Sequence, residues 1–228
     1  MGDRPYVVLS CAMSVDGYLD DAGPTRLRLS NGEDLERVDA ERARSDAILV
    51  GAGTIRKDDS RLLVRSPASR QERVARGLPP SPDRVTITDS GDLDPSRRFF
   101  NAGEATALVY CSRGAAERLR TRLEGKATVI DAGDPLDLRL VLNSLARRGV
   151  RRLMVEGGGM VHTQFLAEGL ADELQLVVAP FFVGDSCAPR FVADGAFPRG
   201  AGNRMTVAET RQIGDVVLIR YLLNPPTP

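Results

Sequence analysis

The chain has 228 residues, 42% hydrophobic and 27% charged, proportions that suit one large α/β domain and exclude a disordered or low-complexity segment. Its 31 Lys and Arg against 31 Asp and Glu give a formal net charge of +0, so no overall basic field is available to hold nucleic acid or an anionic membrane. One histidine, His162, and three widely spaced cysteines (Cys11, Cys111, Cys187) argue against metal sites, zinc knuckles and disulfide frameworks.

The first residues lead straight into a strand-like run with no hydrophobic signal region. Tyr6 stands where a myristoylation signal wants Ser or Thr, and the expectation is a cytoplasmic protein. The longest apolar stretch, Leu176 to Val183, is broken by Pro180 and falls far short of the ~20 residues of a membrane span.

Strands are predicted, in chain order, over Tyr6 to Leu9, Ala47 to Val50, Val85 to Thr88, Ala107 to Tyr110, Ala127 to Ile130, Arg152 to Val155, Glu173 to Val178 and Val216 to Leu223. Helical patterns fall between them. One runs from about Asp34 to Arg44. A second is capped by Ser112, turns Leu119 and Leu123 inward and stops near Gly125. The third and clearest spans Pro135 to Arg148, with Asp134 as N-cap, Pro135 in the first position and Leu138, Val141, Leu142 and Leu145 on one face. Residues Ser66 to Pro82, rich in Arg, Pro and Ser, read as an exposed connection with at most one helical turn. The alternation predicts one α/β domain over 1–228, a mainly parallel sheet with helices on both faces. The last two strands, separated by the Gly/Pro-rich stretch from Gly184 to Gly202, should close it in antiparallel fashion.

Three strand ends carry the candidate chemistry. Leu153-Met154-Val155-Glu156 meets Gly157-Gly158-Gly159, and a helix bearing Val161, Phe165 and Leu166 comes at once after them. Glycines let amides approach a ligand, and a helix N-terminus adds about half a positive charge, which favours a phosphate or pyrophosphate. A tight strand-to-helix connection is the plainer reading of the same residues. Ser45 to Asp59 forms a second cluster, a buried strand ending in Gly51-Ala52-Gly53, with Thr54 and Asp58 sharing a helical face. The third, Ser10 to Leu19, puts an Asp16-Gly17 turn behind a strand.

The ordered set A-M-S-V-D-G, then D-A-I-L-V-G-A-G-T-x-x-x-D-D-x-x-L-x-x-R, then V-E-G-G, F-L-A-E-G-L-A-D-E-L and A-P-x-x-x-G resembles the reductase domain of riboflavin biosynthesis. The match runs from about Val7 to Tyr221. The resemblance implies a dihydrofolate-reductase-like fold and an NADPH-dependent reduction of a phosphoribosylamino-pyrimidine to its ribitylamino form, with hydride going to the ribose-derived imine carbon and no metal. It places Met13, Thr54, Asp58, Ser90 and the turn Gly158, Gly159, Met160, Val161 on the cofactor, and Arg42, Leu62, Arg65 and Glu156 on the substrate. Glu156 then orients a sugar hydroxyl or imine nitrogen, with proton donation as the alternative. Bifunctional relatives carry a zinc deaminase ahead of this domain, and its His-x-Glu and Pro-Cys-x-x-Cys ligands are absent from these 228 residues, so the expectation is the reductase alone.

The chain departs from the family pattern at Ser10, Arg28 and Ser60, and it places Asp89 and Asp92 beside Ser90, where they would repel a 2′-phosphate unless an arginine such as Arg28, Arg97 or Arg98 lies between. NADH thus stays open beside NADPH. Two other functions also stay open: a reductase of another imine or pteridine, and a nucleotide-binding protein without turnover. The apolar run Leu174 to Phe182 exceeds what one strand face needs and predicts a homodimer, the alternative being a central strand buried within one subunit.

Overall fold

The computed structural model describes residues 4–23, 25–104 and 107–224. Most of the short apolar and β-branched runs become strands, and the amphipathic segments between them become helices. In chain order the described elements are β1 (Tyr6–Ser14), α1 (Gly32–Arg44), β2 (Ala47–Gly51), α2 (Ala52–Asp58), α3 (Pro67–Ala75), β3 (Asp83–Thr88), α4 (Arg98–Asn101), β4 (Ala107–Cys111), α5 (Arg113–Arg122), β5 (Thr128–Asp131), α6 (Leu138–Arg147), β6 (Arg152–Gly157), α7 (Gly159–Ala167), β7 (Glu173–Ala179), β8 (Thr206–Ile213) and β9 (Val216–Leu222). They divide into two compact units, one of Met1–Tyr6 and Asp39–Met154, the other of Val7–Val38 and Val155–Pro228. The elements β1, α1 and β6 each pass from one unit into the other.

In the first unit β5, β4, β3 and β2 pair side by side, all parallel, with Val50 opposite Thr86, Ile87 opposite Tyr110 and Tyr110 opposite Ile130. Every residue of β2 and β4 is buried, the pattern of parallel strands covered on both faces. Leu119 and Leu123 near the end of α5, and Leu138, Val141, Leu142 and Leu145 of α6, are all at most 2% exposed. At roughly 1.5–3 kcal/mol per fully buried aliphatic side chain, these faces anchor the two helices.

Two local expectations in this unit are corrected. Helix α6 starts at Leu138 with Asp137 as N-cap, whose carboxylate accepts the Arg139 amide at 2.7 Å. The chain ahead of it, including Asp134 and Pro135, is occupied by a turn in which the Asp137 amide reaches Ala132 O at 2.8 Å. The stretch after Ser66 contains a nine-residue helix, α3: Ser66 caps it by accepting the Ser69 amide, and Pro67 takes the first turn. Its Arg73 is buried, with the guanidinium donating to the carbonyls of Pro79, Ala43 and Ser45.

In the second unit β7 lies between β1, which it pairs in parallel (Met13 opposite Val178), and β9, which it pairs antiparallel (Val178 opposite Val217). The antiparallel closure is the expected one. Strand β8, which the sequence did not suggest, pairs with β9 through a turn at Gly214, where φ is +58°. Six of its eight residues are exposed, so it lacks the alternation that marks a half-buried strand. Strand β7 is a central strand: Leu174, Leu176, Val177 and Ala179 are buried by the chain itself. The rest of the run is less covered: Val178 and Phe181 are half-buried, Pro180 is exposed and Phe182 is 74% exposed.

Candidate active site

In the first unit the candidate residues gather around the ends of β2 and β3. Strand β2 ends at Gly51, whose extended backbone (φ −73°, ψ 154°) opens α2, and Thr54 and Asp58 lie one turn apart on that helix, each half-buried. Asp59 ends it in the left-handed region at φ +45°. Its carboxylate accepts the Arg98 amide at 2.7 Å and Arg98 Nε at 3.0 Å. That amide hydrogen bond leads the causes that hold the Asp59 carboxyl below its usual range, with the Arg98 guanidinium adding to it.

The next segment turns sharply at Leu62, also left-handed (φ +51°), whose side chain is 2% exposed. Leu62 therefore has its backbone, and not its side chain, to offer a ligand. Helix α1 fixes the residues after Leu62: an Arg42 guanidinium nitrogen donates to Leu63 O at 3.2 Å, and the buried Asp39 carboxylate accepts the amides of Arg65 at 2.7 Å and Ser66 at 2.8 Å. The Arg65 side chain is 55% exposed, with Nε 3.6 Å from Asp39. Thus α1 holds Arg42 and Arg65 beside the segment that follows Leu62.

Strand β3 is followed by the exposed Asp89 and Ser90 and then by Gly91 at φ +67°. The Gly91 amide donates to Thr88 Oγ1 at 3.0 Å, and the Ser112 hydroxyl donates to Asp89 O at 2.7 Å. Arg118 donates to Ser90 O at 2.5 Å, and Arg56 donates to Asp92 O at 2.8 Å and lies 3.7 Å from its carboxylate. The arginines beside this loop are therefore Arg56 and Arg118. Of those named from sequence, Arg97 pairs with Asp94 at 3.8 Å and Arg98 with Asp59.

In the second unit Met13 is half-buried in β1, and Glu156 is half-buried near the end of β6. Behind Glu156, Gly157 and Gly158 have φ of +114° and +50°. At Gly158 the pair φ +50°, ψ 152° lies in a region that only glycine occupies without strain. Helix α7 starts immediately, and the amides of Gly159, Met160 and Val161 precede its first bond, from the His162 amide to Gly158 O at 3.1 Å. Val161 is 6% exposed and Met160 65%. This turn therefore presents main-chain donors at the positive end of a helix dipole, a set that fits a pyrophosphate.

Two of the three glycines also answer to contacts within the protein. A β-carbon on Gly157 would fall 2.8 Å from His162 Nε2, and one on Gly159 would fall on the Arg190 carbonyl. The segment carrying Arg190 crosses here. Pro189 O accepts the Leu19 amide at 2.8 Å, the Phe191 amide reaches Gly17 O at 2.9 Å, and the Ala193 amide reaches Thr163 Oγ1 at 2.9 Å. Arg190 bonds the Tyr18 hydroxyl at 3.0 Å, with its guanidinium 4.6 Å from that ring's centroid. The Asp16 turn is tied to the same region. Its partial burial would raise the carboxyl, but bonds from the Ser14 hydroxyl and the Val183 and Gly184 amides bring it down to about 2.

Parallel strands whose C-terminal ends carry glycine turns and helix N-termini define the class of open α/β folds that gather ligands at that edge of the sheet. Comparison with known proteins narrows this. The profile described as the RibD C-terminal domain matches residues 5–219, and the chain belongs to that family. A 2,5-diamino-6-ribosylamino-4(3H)-pyrimidinone 5′-phosphate reductase of Archaeoglobus fulgidus is 40% identical over 193 residues, covering 84% of this chain and 87% of that protein. Among solved structures, Acinetobacter baumannii RibD superposes with a TM-score of 0.78 at 24% identity over 96% of this chain, which spans 58% of that protein's length. A dihydrofolate reductase from Enterococcus faecalis complexed with NADP(H) superposes at 0.50 with 12% identity and 95% coverage of each chain. The dihydrofolate-reductase-like fold expected from the sequence is thus found. Among the described residues no helix is long and apolar enough to cross a membrane.

Proposed function

We propose that this protein is an NADPH-dependent reductase of riboflavin biosynthesis, acting on a phosphoribosylamino-pyrimidine to give its ribitylamino form. The observation that carries the reading is the β6–α7 turn, where the Glu156 carboxyl stands two residues ahead of a glycine-opened helix N-terminus. Membership of the family and the name of the archaeal relative support the same substrate class.

In this reading the amides of Gly158, Gly159, Met160 and Val161 hold the cofactor's pyrophosphate, while Met13, Thr54, Asp58 and Ser90 contact the rest of it. Bound NADPH supplies a hydride to the first sugar carbon of the ring-opened imine. Arg42 and Arg65 hold the substrate phosphate by charge-assisted bonds, a task suited to guanidinium groups. The clamp by Asp39 and the Leu63 carbonyl fixes the segment that carries Arg65, so less ordering is left for the binding step. Glu156 orients the sugar hydroxyl or imine nitrogen and is the chain's own candidate for delivering the proton that nitrogen gains.

The chain 1–228 acts as a single reductase domain in this proposal, in the cytoplasm and as a homodimer. For the dimer, the exposed apolar side chains of Phe182 (74%), Val207 (58%) and Val217 (38%) offer the surface, and light scattering at micromolar concentration tests it.

The enzymatic test is NADPH oxidation in the presence of the two phosphoribosylamino-pyrimidines, one before and one after deamination. Turnover of either supports the assignment. Oxidation with neither, by protein that complements no strain lacking the reductase step, rejects it.

A further inference from the structure

His162 is the chain's single histidine, and it is fully buried. Neither ring nitrogen has a hydrogen-bond partner among the described residues. Other buried polar side chains of the same unit are satisfied: Asp34 by Ser30 and Arg37, Asp172 by the Val7 amide, Gln175 by Arg37 and Glu173, and Thr163 by Gly159 O. A buried imidazole with no protein partner on either nitrogen is disfavoured over an apolar ring of the same shape unless another state of the protein uses it. Its surroundings indicate which state. A helical side chain leans toward the helix N-terminus, and His162 lies against Gly157, with Nε2 2.8 Å from where a β-carbon would stand. The Phe191 ring packs on it as well, tilted, its centroid 5.5 Å away.

The peptide joining Gly157 to Gly158 can turn over because both residues are glycines. Half a turn of its plane carries Gly158 from φ +50° to about −130°, ordinary extended backbone, without moving the chain on either side. Carbonyl and N–H point oppositely across a peptide plane, so a Gly157 carbonyl turned inward to accept from His162 leaves the Gly158 N–H turned outward.

We propose that His162 is a positioning residue of the cofactor cradle, whose Nε2–H donates to the Gly157 carbonyl when a dinucleotide binds and thereby fixes the Gly158 amide toward the pyrophosphate. The proposal rests on the cofactor reading given above. It also accounts for the three adjacent glycines: Gly157 makes room for the ring, Gly158 allows both peptide orientations, and Gly159 makes room for the Arg190 carbonyl.

The test uses ¹⁵N-labelled wild-type protein, in which the imidazole resonances belong to one residue. Titration with NADPH, followed in parallel by nicotinamide fluorescence, should bring up a slowly exchanging, hydrogen-bonded Nε2–H signal as the cofactor binds. In His162→Phe the KM for NADPH should rise about tenfold or more while kcat falls much less, and His162→Gln, whose amide nitrogen reaches about as far as Nε2, should recover most of the loss. Binding that leaves the imidazole resonances unmoved, or a His162→Phe enzyme with unchanged KM, would overturn the role of His162 and leave the cofactor site standing. Absence of any NADPH binding by the wild type would overturn both. Should His162→Phe fail to fold, the titration of the wild type decides alone.

Discussion

Asp39 accepts the backbone amide of Arg65 through Oδ1 at 2.7 Å, so a buried acid on α1 and not the arginine's own side chain fixes where that residue stands. The arrangement separates holding from binding, since Arg65's guanidinium is more than half exposed. Arg65→Ala should raise the KM for the pyrimidine phosphate roughly tenfold or more, about 1.4 kcal/mol, with NADPH affinity and melting temperature little changed. Asp39→Ala should raise the same KM and also cost about 1–3 kcal/mol of stability, because two amides lose their acceptor. Steady-state kinetics beside thermal melts check both variants, and an unchanged substrate KM in Arg65→Ala removes it from the phosphate site.

Burial lowers the His162 imidazole from 6.5 to about 4. In the unfolded chain the ring takes a proton below about pH 6.5, while in the folded protein it stays neutral down to about 4. The neutral ring's contribution is therefore complete above pH 6.5, is lost as the pH falls between these values, and is gone below about 4, a change of about 3 kcal/mol. Denaturant unfolding across pH 3 to 8 should show this loss in the wild type, and the difference curve against His162→Phe isolates it from the carboxylates. A difference curve flat with pH would contradict a neutral buried ring.

Gly158 holds a conformation that a β-branched residue cannot adopt without strain. Gly158→Val should cost about 1–3 kcal/mol of stability through that strain, and it should weaken NADPH binding in calorimetry because a branched side chain crowds the amides offered to the pyrophosphate even where the backbone is extended, so the two effects have to be measured together. Undiminished affinity would place the pyrophosphate elsewhere.

The loop after β3 carries Asp89 and Asp92 beside Ser90, with Arg56 and Arg118 bonded to its carbonyls. Asp89→Asn should raise the ratio of kcat/KM for NADPH over NADH severalfold if the acid faces the 2′-phosphate. Arg118→Ala should lower that ratio. A ratio unmoved in both variants puts the loop outside the cofactor pocket.

The sequence was most readable where burial dictates residue type. The wholly buried β2 and β4, and the face of three leucines and one valine on α6, announce themselves because parallel strands and packed helices admit little else. The start of α6 is ambiguous in the sequence because two acids stand ahead of it, and the turn that takes up Asp134 and Pro135 leaves Asp137 to cap. Helix α3 hid behind its composition although Ser66-Pro67 is a cap-and-first-position pair. Strand β8 left no periodic signal because its side chains are mostly exposed. At the candidate site, Asp39, the Tyr18–Arg190 pair and the buried His162 carry no signal in the local sequence. Their roles depend on neighbours distant in sequence, which no local pattern encodes.

The central claim, hydride transfer to the ribose-derived carbon, is tested most directly with NADPH deuterated at the transferring position of the nicotinamide. The ribitylamino product, analysed by mass spectrometry and NMR, should carry a single deuterium on the first carbon of the sugar chain, formed in step with nicotinamide oxidation. Product without deuterium at that carbon, or nicotinamide oxidation with no ribitylamino product, would contradict the account.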